Sequence, residues 1–254
     1  MRGVILAGGF GTRLRPFTLR LNKGMAPIYT PNGAIPQLLF PLKTLTSSGI
    51  DDILIVTSRE HCGHIVELLG DGTEYNCTLT YKIQEMDRPV TGIAQALGLA
   101  KNFVGDNKFA VILGDNFYEE NFRSKFRIFE EGSYRSSIFL KEVHDPERFG
   151  VASFSSINSN GVVKTAKVEK ITEKPNPPKS NYAVTGLYLY TPHVFHILKD
   201  LKPSKRNELE ITDINNFYVN DKSMQAMILD GFWGDMGLSE SAKRVSDFIW
   251  KRDS

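Results

Sequence analysis

Cysteine is scarce in this 254-residue chain: Cys62 and Cys77 are too few for a disulfide framework and suit a reducing compartment. Long apolar runs are missing too. No stretch approaches the roughly 20 residues a membrane helix needs, and the amino terminus leads into a strand instead of a signal peptide. Charge of one sign is not in excess either, because 31 basic and 29 acidic side chains leave a formal net charge of +2. The basic residues form no block, which argues against nucleic acid as a partner. Repeats and low-complexity tracts are absent. A soluble, cytoplasmic protein that binds neither membrane nor nucleic acid is the expectation.

About two-fifths of the residues are hydrophobic and a quarter charged, an ordinary globular balance. The length allows one large domain or two small ones with an ample core. Short apolar runs predict strands at 3–7, 52–57, 79–84, 109–113 and 136–143, and longer periodic stretches predict helices at 35–48, 60–69, 91–103 and 119–131. This alternation implies an α/β fold with a mixed, mainly parallel sheet sandwiched by helices. The last third is less regular, with strands at 162–173, 183–190 and 224–229 and helices at 192–200, 211–218 and 239–251. "NPPKSN" at 176–181 reads as a loop, and no boundary cuts the chain, so a single domain over 1–254 is expected. "HCGH" at 61–64 brings His61, Cys62 and His64 close in sequence, but the spacing fits none of the usual zinc patterns and also suits a solvated helix start.

Ligands of such folds lie at the carboxyl ends of the strands. There the sequence places "VILAGGFGTRLRPFT", residues 4–18. Gly8, Gly9 and Gly11 would let backbone N–H groups approach an anion, and Arg13 would add charge-assisted bonds to phosphate oxygens. The same glycines would also serve a tight turn. A dinucleotide fingerprint needs a glycine where Leu14 stands, and the triphosphatase loop needs Gly-Lys-Ser/Thr, which is absent.

The longer string, "LAGGFGTRLRPFT" followed by Lys23 and "APIY" at 26–29, resembles the signature of the sugar nucleotidyltransferases. Further blocks are similar to those of the glucose-1-phosphate thymidylyltransferases, in the same order: "LGDN" at 113–116, "DPERFGV" at 145–151, "ITEKP" at 171–175, "PKSNYAVTGLYLY" at 178–190, "ELEITDIN" at 208–215 and "FWGDMG" at 232–237. The resemblance covers nearly the whole chain. It implies a Rossmann-like nucleotidyltransferase fold, with a nucleotide-binding part over about 1–115 and a sugar-phosphate part over about 116–254.

The reaction so implied is attack by a phosphate oxygen of glucose 1-phosphate on the α-phosphorus of dTTP, giving dTDP-glucose and pyrophosphate. Both reactants are anions, so charge neutralisation and in-line geometry are the protein's main tasks. Asp115, following "FAVIL" through a glycine, and Asp235, set between glycines after Trp233, are the expected Mg2+ ligands, since magnesium takes one or two carboxylates plus substrate phosphates. Arg13 is assigned to the outer phosphates, Lys23 to the α-phosphate or the leaving group, and Lys174 to the phosphate of the sugar. With Asp115 and Asp235 these form the catalytic set. The glycine loop with Thr12, and Gln84 and Gly92 beside the base, complete the nucleotide side; an amide such as Gln84 can pair with the imide edge of thymine or uracil. The resemblance assigns Glu173 to sugar hydroxyls, Gly150 and Val184 to close backbone contacts, and Asn116 and Tyr188 to the pocket; Trp233 either stacks near the sugar or simply packs.

The chain departs from the family pattern at several points. Residues 30–39 and the loop "EMDRPVT" at 85–91 are longer than usual, which leaves dTTP or UTP open. Phe149 replaces a common tyrosine, and Met236 and Leu238 replace threonines, which leaves a uridylyltransferase or a modified sugar 1-phosphate as alternatives. A sensor that binds a sugar nucleotide without turnover is a further reading from another class. The sequence ends soon after residue 251, where family members continue with further helices, so no secondary effector site and a monomer or homodimer are expected.

Overall fold

The computed structural model describes residues 1–9, 11–85, 92–159, 161, 163–204 and 206–253. In chain order its strands are β1 (Arg2–Ala7), β2 (Pro27–Thr30), β3 (Gly33–Pro36), β4 (Asp52–Ser58), β5 (Thr78–Gln84), β6 (Phe109–Leu113), β7 (Asn116–Tyr118), β8 (Ser136–Glu142), β9 (Gly150–Ser159), β10 (Lys164–Glu173), β11 (Tyr182–Tyr190), β12 (Met224–Ile228) and β13 (Trp233–Asp235). The α-helices are α1 (Leu39–Ser47), α2 (Cys62–Leu69), α3 (Ile93–Gly98), α4 (Lys101–Val104), α5 (Arg123–Glu131), α6 (Val194–Ile197), α7 (Ile211–Asn220) and α8 (Ser239–Asp253). No helix among the described residues is long and apolar enough to cross a membrane.

The chain forms two compact units. The first comprises Arg2–Asp87, Ile112–Arg123 and Phe232–Ser254; the second comprises Arg88–Val111 and Ser124–Gly231 together with Met1. Each unit is assembled from separated stretches, where the sequence alone suggested contiguous parts meeting near residue 115.

In the first unit β1, β4 and β5 run parallel, in register from Gly3↔Ile53 to Ala7↔Thr57 and from Asp52↔Thr78 to Ser58↔Gln84. Parallel strands are covered on both faces, so β1 and β4 read as near-continuous apolar runs, with Val4, Ile5, Ile53, Ile55 and Val56 fully buried. Their carboxyl ends bring Ala7 and Gln84 to one edge. After β6, the Gly114 N–H donates to the Leu6 carbonyl at 2.9 Å, and a Cβ on Gly114 would stand 3.1 Å from that oxygen. Two antiparallel pairs complete the unit: β2 with β3, and β7 with β13, the latter in the register Trp233↔Tyr118, Gly234↔Phe117 and Asp235↔Asn116. Helix α8 closes a core of Ile28, Phe117, Met236, Val245 and Ile249 against these pairs. Phe232 stacks on Phe248 within it, ring centroids 4.2 Å apart.

In the second unit the strands run in the order β11-β8-β12-β10-β9. The β8–β12 pair is parallel and the others antiparallel, and β9 also meets β11 at Ala183↔Val151. Helix α7 packs on β10, where the Asn216 side chain accepts from the Ile171 N–H at 2.9 Å and donates to its carbonyl at 2.8 Å.

The mixed α/β class agrees with the sequence pattern, while several element boundaries do not. The helix expected from residue 35 begins at Leu39, because Gly33 takes a φ of 118° and residues 33–36 return along β2 as a hairpin. The helix expected from 119 begins at Arg123. Glu119 N–H is held by the Phe232 carbonyl, and the Asn121 side chain accepts from Arg123 N–H at 2.9 Å, which sets the start. Strand β9 has no counterpart in the sequence pattern because its outer half, Ser155 to Ser159, is exposed and polar apart from Ile157. The first residue of the expected helix at 91 and of the expected strand at 162 lie outside the described residues.

Candidate active site

The glycine loop follows directly from the buried end of β1. A Cβ on Gly8 would come 2.2 Å from Gln84 Oε1, so glycine is what lets the Gln84 amide close onto the loop. Gly9 is exposed, with nothing within 4 Å of where its Cβ would be, and Gly11 adopts a left-handed φ of 60°. Thr18 fastens the turn through a 2.7 Å hydrogen bond from its hydroxyl to the Gly11 carbonyl. Thr12 and Arg13 then begin a short 3-10 turn with both side chains exposed.

Lys23 and Asp115, 92 positions apart, meet through a 2.5 Å contact between Nζ and Oδ2. Asp115 is 5 % exposed. Burial by itself would push its carboxyl upward, but the Lys23 ammonium and hydrogen bonds from Lys23 and Asn116 outweigh it and hold the group below the usual carboxylate range. The second carboxylate arrives through the β7–β13 register: Asp235 faces Asn116, and Met236 N–H donates to the Asp115 carbonyl at 2.8 Å.

Gly237 shows how tightly these groups converge. A Cβ there would stand 2.9 Å from Asp235 Oδ1, 3.2 Å from Asp115 Oδ2 and 3.5 Å from Arg13 Nη2. Glycine thus keeps clear a point approached by two carboxylates and a guanidinium. Such a cradle fits magnesium, a hard cation that takes one or two carboxylates and leaves its other positions to water and phosphate. No group of three or more His, Cys, Asp or Glu side chains suited to a metal occurs among the described residues.

Asn116, assigned from the sequence to the sugar pocket, and Trp233 serve Asp115 as well. Trp233 Nε1–H donates to Asn116 Oδ1 at 2.7 Å, Tyr118 adds a bond to the same oxygen at 3.3 Å, and the Asn116 amide donates to Asp115 Oδ1 at 3.2 Å. Both side chains are buried, which leaves the indole ring packed instead of projecting.

The remaining sugar-side residues lie in the second unit. The β9–β10 ladder sets Glu173 opposite Gly150, and a Cβ on Gly150 would be 3.4 Å from Glu173 Oε2. Val184 and Tyr188 are buried on β11, Val184 directly after Ala183, where the strand meets β9. Two partners of Glu173 carried no role in the sequence reading. The Thr212 hydroxyl donates to Oε2 at 2.7 Å and Arg206 Nη2 to Oε1 at 3.3 Å. Thr212 falls inside the "ELEITDIN" block, which was the available signal; Arg206 lay just ahead of it. Burial would weaken the Arg206 charge, yet Glu210, Glu208 and Glu173 raise its pKa.

Lys174, 3.8 Å from Glu173 through Nζ, has a φ of 43°, uncommon for a residue with a side chain. Such strain costs about 1 kcal/mol or more and collects at functional positions. Lys174→Gly should therefore raise unfolding stability by about 1 kcal/mol while raising the half-saturation constant for the sugar phosphate about tenfold, as expected when a charge-assisted bond is lost. Denaturant unfolding and steady-state kinetics on one preparation check both halves.

Gly92 also has a left-handed φ, 119°, and a Cβ there would meet the Leu209 carbonyl at 2.6 Å. Its need for glycine is thus met by contact within its own unit. The loop at 86–91, expected beside the base, lies outside the described residues. His61, Cys62 and His64 occupy the start of α2, with His61 Nδ1 3.0 Å from the Ser58 hydroxyl, as a helix start would have them.

Comparison with known proteins identifies the family. The nucleotidyl transferase family matches residues 2–252. A glucose-1-phosphate thymidylyltransferase of Neisseria meningitidis is 38% identical over 252 residues, covering 98% of this chain and 82% of its own. The low-salt glycan biosynthesis nucleotidyltransferase Agl11 of Haloferax volcanii is 35% identical over 250 residues, 98% of this chain and 66% of its own. Among solved structures, a Bacillus anthracis protein assigned as a glucose-1-phosphate thymidylyltransferase, in complex with sucrose, superposes with a TM-score of 0.88 at 41% identity, covering 98% of this chain and 95% of its own. A UDP-glucose pyrophosphorylase complexed with UDP-glucose has a TM-score of 0.81 at 24% identity over 99% of this chain and 98% of its own, a likeness of fold alone. By its motifs, its fold and these matches, the chain belongs to the nucleotidyl transferase family.

Proposed function

We propose that the protein transfers a thymidylyl group from dTTP to glucose 1-phosphate. A phosphate oxygen of the sugar forms a bond to the α-phosphorus, the bond from that phosphorus to the α,β-bridging oxygen breaks, and its electron pair leaves with pyrophosphate. The observation that carries this reading is the convergence of Asp115, Asp235 and Arg13 around the clear point at Gly237, with Lys23 bound to Asp115. Paired carboxylates and cations at the end of a glycine loop suit a triphosphate and its counter-ion. The names of the relatives supply the substrates.

In this reading the first unit holds the triphosphate. The loop amides of Gly8, Gly9 and Gly11 face the phosphates with Thr12, Arg13 neutralises the leaving pyrophosphate, Lys23 meets the α-phosphate, and Gln84 reads the imide edge of the base. The second unit holds the sugar phosphate: Lys174 binds its phosphate, Glu173 accepts from its hydroxyls, and Gly150, Val184 and Tyr188 shape the surroundings. Asp115 and Asp235 would hold Mg2+, which when bound supplies charge neutralisation along the triphosphate. In the same reading the protein works in the cytoplasm.

Pyrophosphate release is the test, with glucose 1-phosphate and magnesium against dTTP, UTP, CTP, ATP and GTP in parallel. Release with dTTP in clear preference to CTP and GTP is expected. UTP as the sole effective nucleotide would replace the thymidylyl reading with a uridylyl one, and silence with all five would refute transfer to glucose 1-phosphate.

A further inference from the structure

Asn22 is fully buried, and both ends of its amide are bonded. Its Nδ2–H donates to the Ala7 carbonyl at 2.8 Å, the last carbonyl of β1 before the glycine loop. Its Oδ1 accepts from the Gly24 N–H at 2.7 Å and so caps the 3-10 turn Lys23–Met25. The side chain therefore spans from the root of the loop to the turn that carries Lys23. Gly11 packs close as well, since a Cβ there would be 3.1 Å from Lys23 Cβ.

The same turn is tied to Met236, the residue after the second carboxylate. Leu38 N–H donates to the Gly24 carbonyl at 2.9 Å and Gln37 N–H to the Ala26 carbonyl at 3.0 Å. The buried Gln37 amide donates to the Met236 carbonyl at 3.3 Å, and Met236 N–H donates to the Asp115 carbonyl at 2.8 Å. Lys23 Nζ on Asp115 Oδ2 closes the ring. Lysine is a flexible four-carbon stem with a point charge, so its ammonium is fixed only as well as its backbone is fixed. Asn22 is the buried polar group that fixes this backbone, and an apolar side chain of its size could make neither bond.

We propose that Asn22 is a positioning residue for nucleotide binding, which acts by setting Lys23 between the glycine loop and Asp115. This rests on the reading of Lys23 as a ligand of the triphosphate. The test compares wild type, Asn22→Ala and Asn22→Ser. Serine can keep the cap on Gly24 N–H but is too short to reach Ala7. Steady-state half-saturation is measured for dTTP and for glucose 1-phosphate, and dTTP is titrated calorimetrically in the presence of EDTA. The dTTP constants should weaken about tenfold in Asn22→Ala and about threefold in Asn22→Ser by both methods, the size expected when a bond to a charged group is misplaced. The glucose 1-phosphate constant should stay within about twofold of wild type. A merely structural loss would lower the active fraction and leave both half-saturation constants unmoved. Should Asn22→Ala not fold, Asn22→Ser carries the comparison. Unchanged dTTP binding in the folded variants, or equal weakening for both substrates, would overturn the inference while leaving thymidylyl transfer intact. A wild-type protein that neither binds dTTP nor releases pyrophosphate would overturn the underlying reading.

Discussion

Asp115→Asn should lower turnover about a hundredfold or more, because it removes a carboxylate from the place where a cation and the reacting phosphates need fixed negative charge. The replacement is nearly isosteric, and its amide oxygen can still accept from Lys23 Nζ, which lies 2.5 Å from the carboxylate. Stability should therefore change by no more than about 2 kcal/mol, even though the half-buried ammonium loses its counter-charge. Pyrophosphate release and denaturant unfolding on the same preparation separate the two effects. Near-normal turnover in a folded variant would remove Asp115 from the reaction.

Gly237→Ala should likewise cost far more activity than stability. Its backbone lies outside the left-handed region, so alanine is not excluded by conformation. The added methyl would stand 2.9 Å from Asp235 Oδ1 and 3.2 Å from Asp115 Oδ2, both shorter than an ordinary contact. Either the carboxylates move apart or the methyl fills the place where they converge. Turnover should fall about tenfold or more, with unfolding free energy within about 1 kcal/mol of wild type, and the magnesium concentration for half-maximal rate should rise. If turnover and magnesium dependence both match wild type, the clear point at Gly237 is not where the cation binds.

Much of the fold could be read from the chain because the strands of the first unit are apolar runs that parallel pairing buries on both faces. β4 emerges within one residue of its expected bounds for that reason. Elements held by contacts distant in sequence could not be read so directly. Strand β3 looked like the start of a helix because its pairing partner β2 and the φ of Gly33 decide it, and the start of α5 depends on Phe232, more than a hundred residues away. The polar outer half of β9 carried no apolar pattern at all.

The candidate site divides in the same way. The residue types and their motifs were in the sequence: a glycine loop after a buried strand, Arg13, Lys23, Asp115, Glu173, Lys174 and Asp235. By itself the sequence determined the α/β class, the chemistry on offer and the family resemblance, because periodicity and motif spacing are local properties of a chain. Only the tertiary structure decided which groups share a partner. It put Lys23 on Asp115, Asp235 opposite Asn116, Trp233 onto Asn116, and Arg206 and Thr212 onto Glu173. Those pairings depend on strand register and on buried amides such as Asn22 finding both of their bonds. Such bonds form between positions that are remote along the chain and become neighbours only once the core has packed.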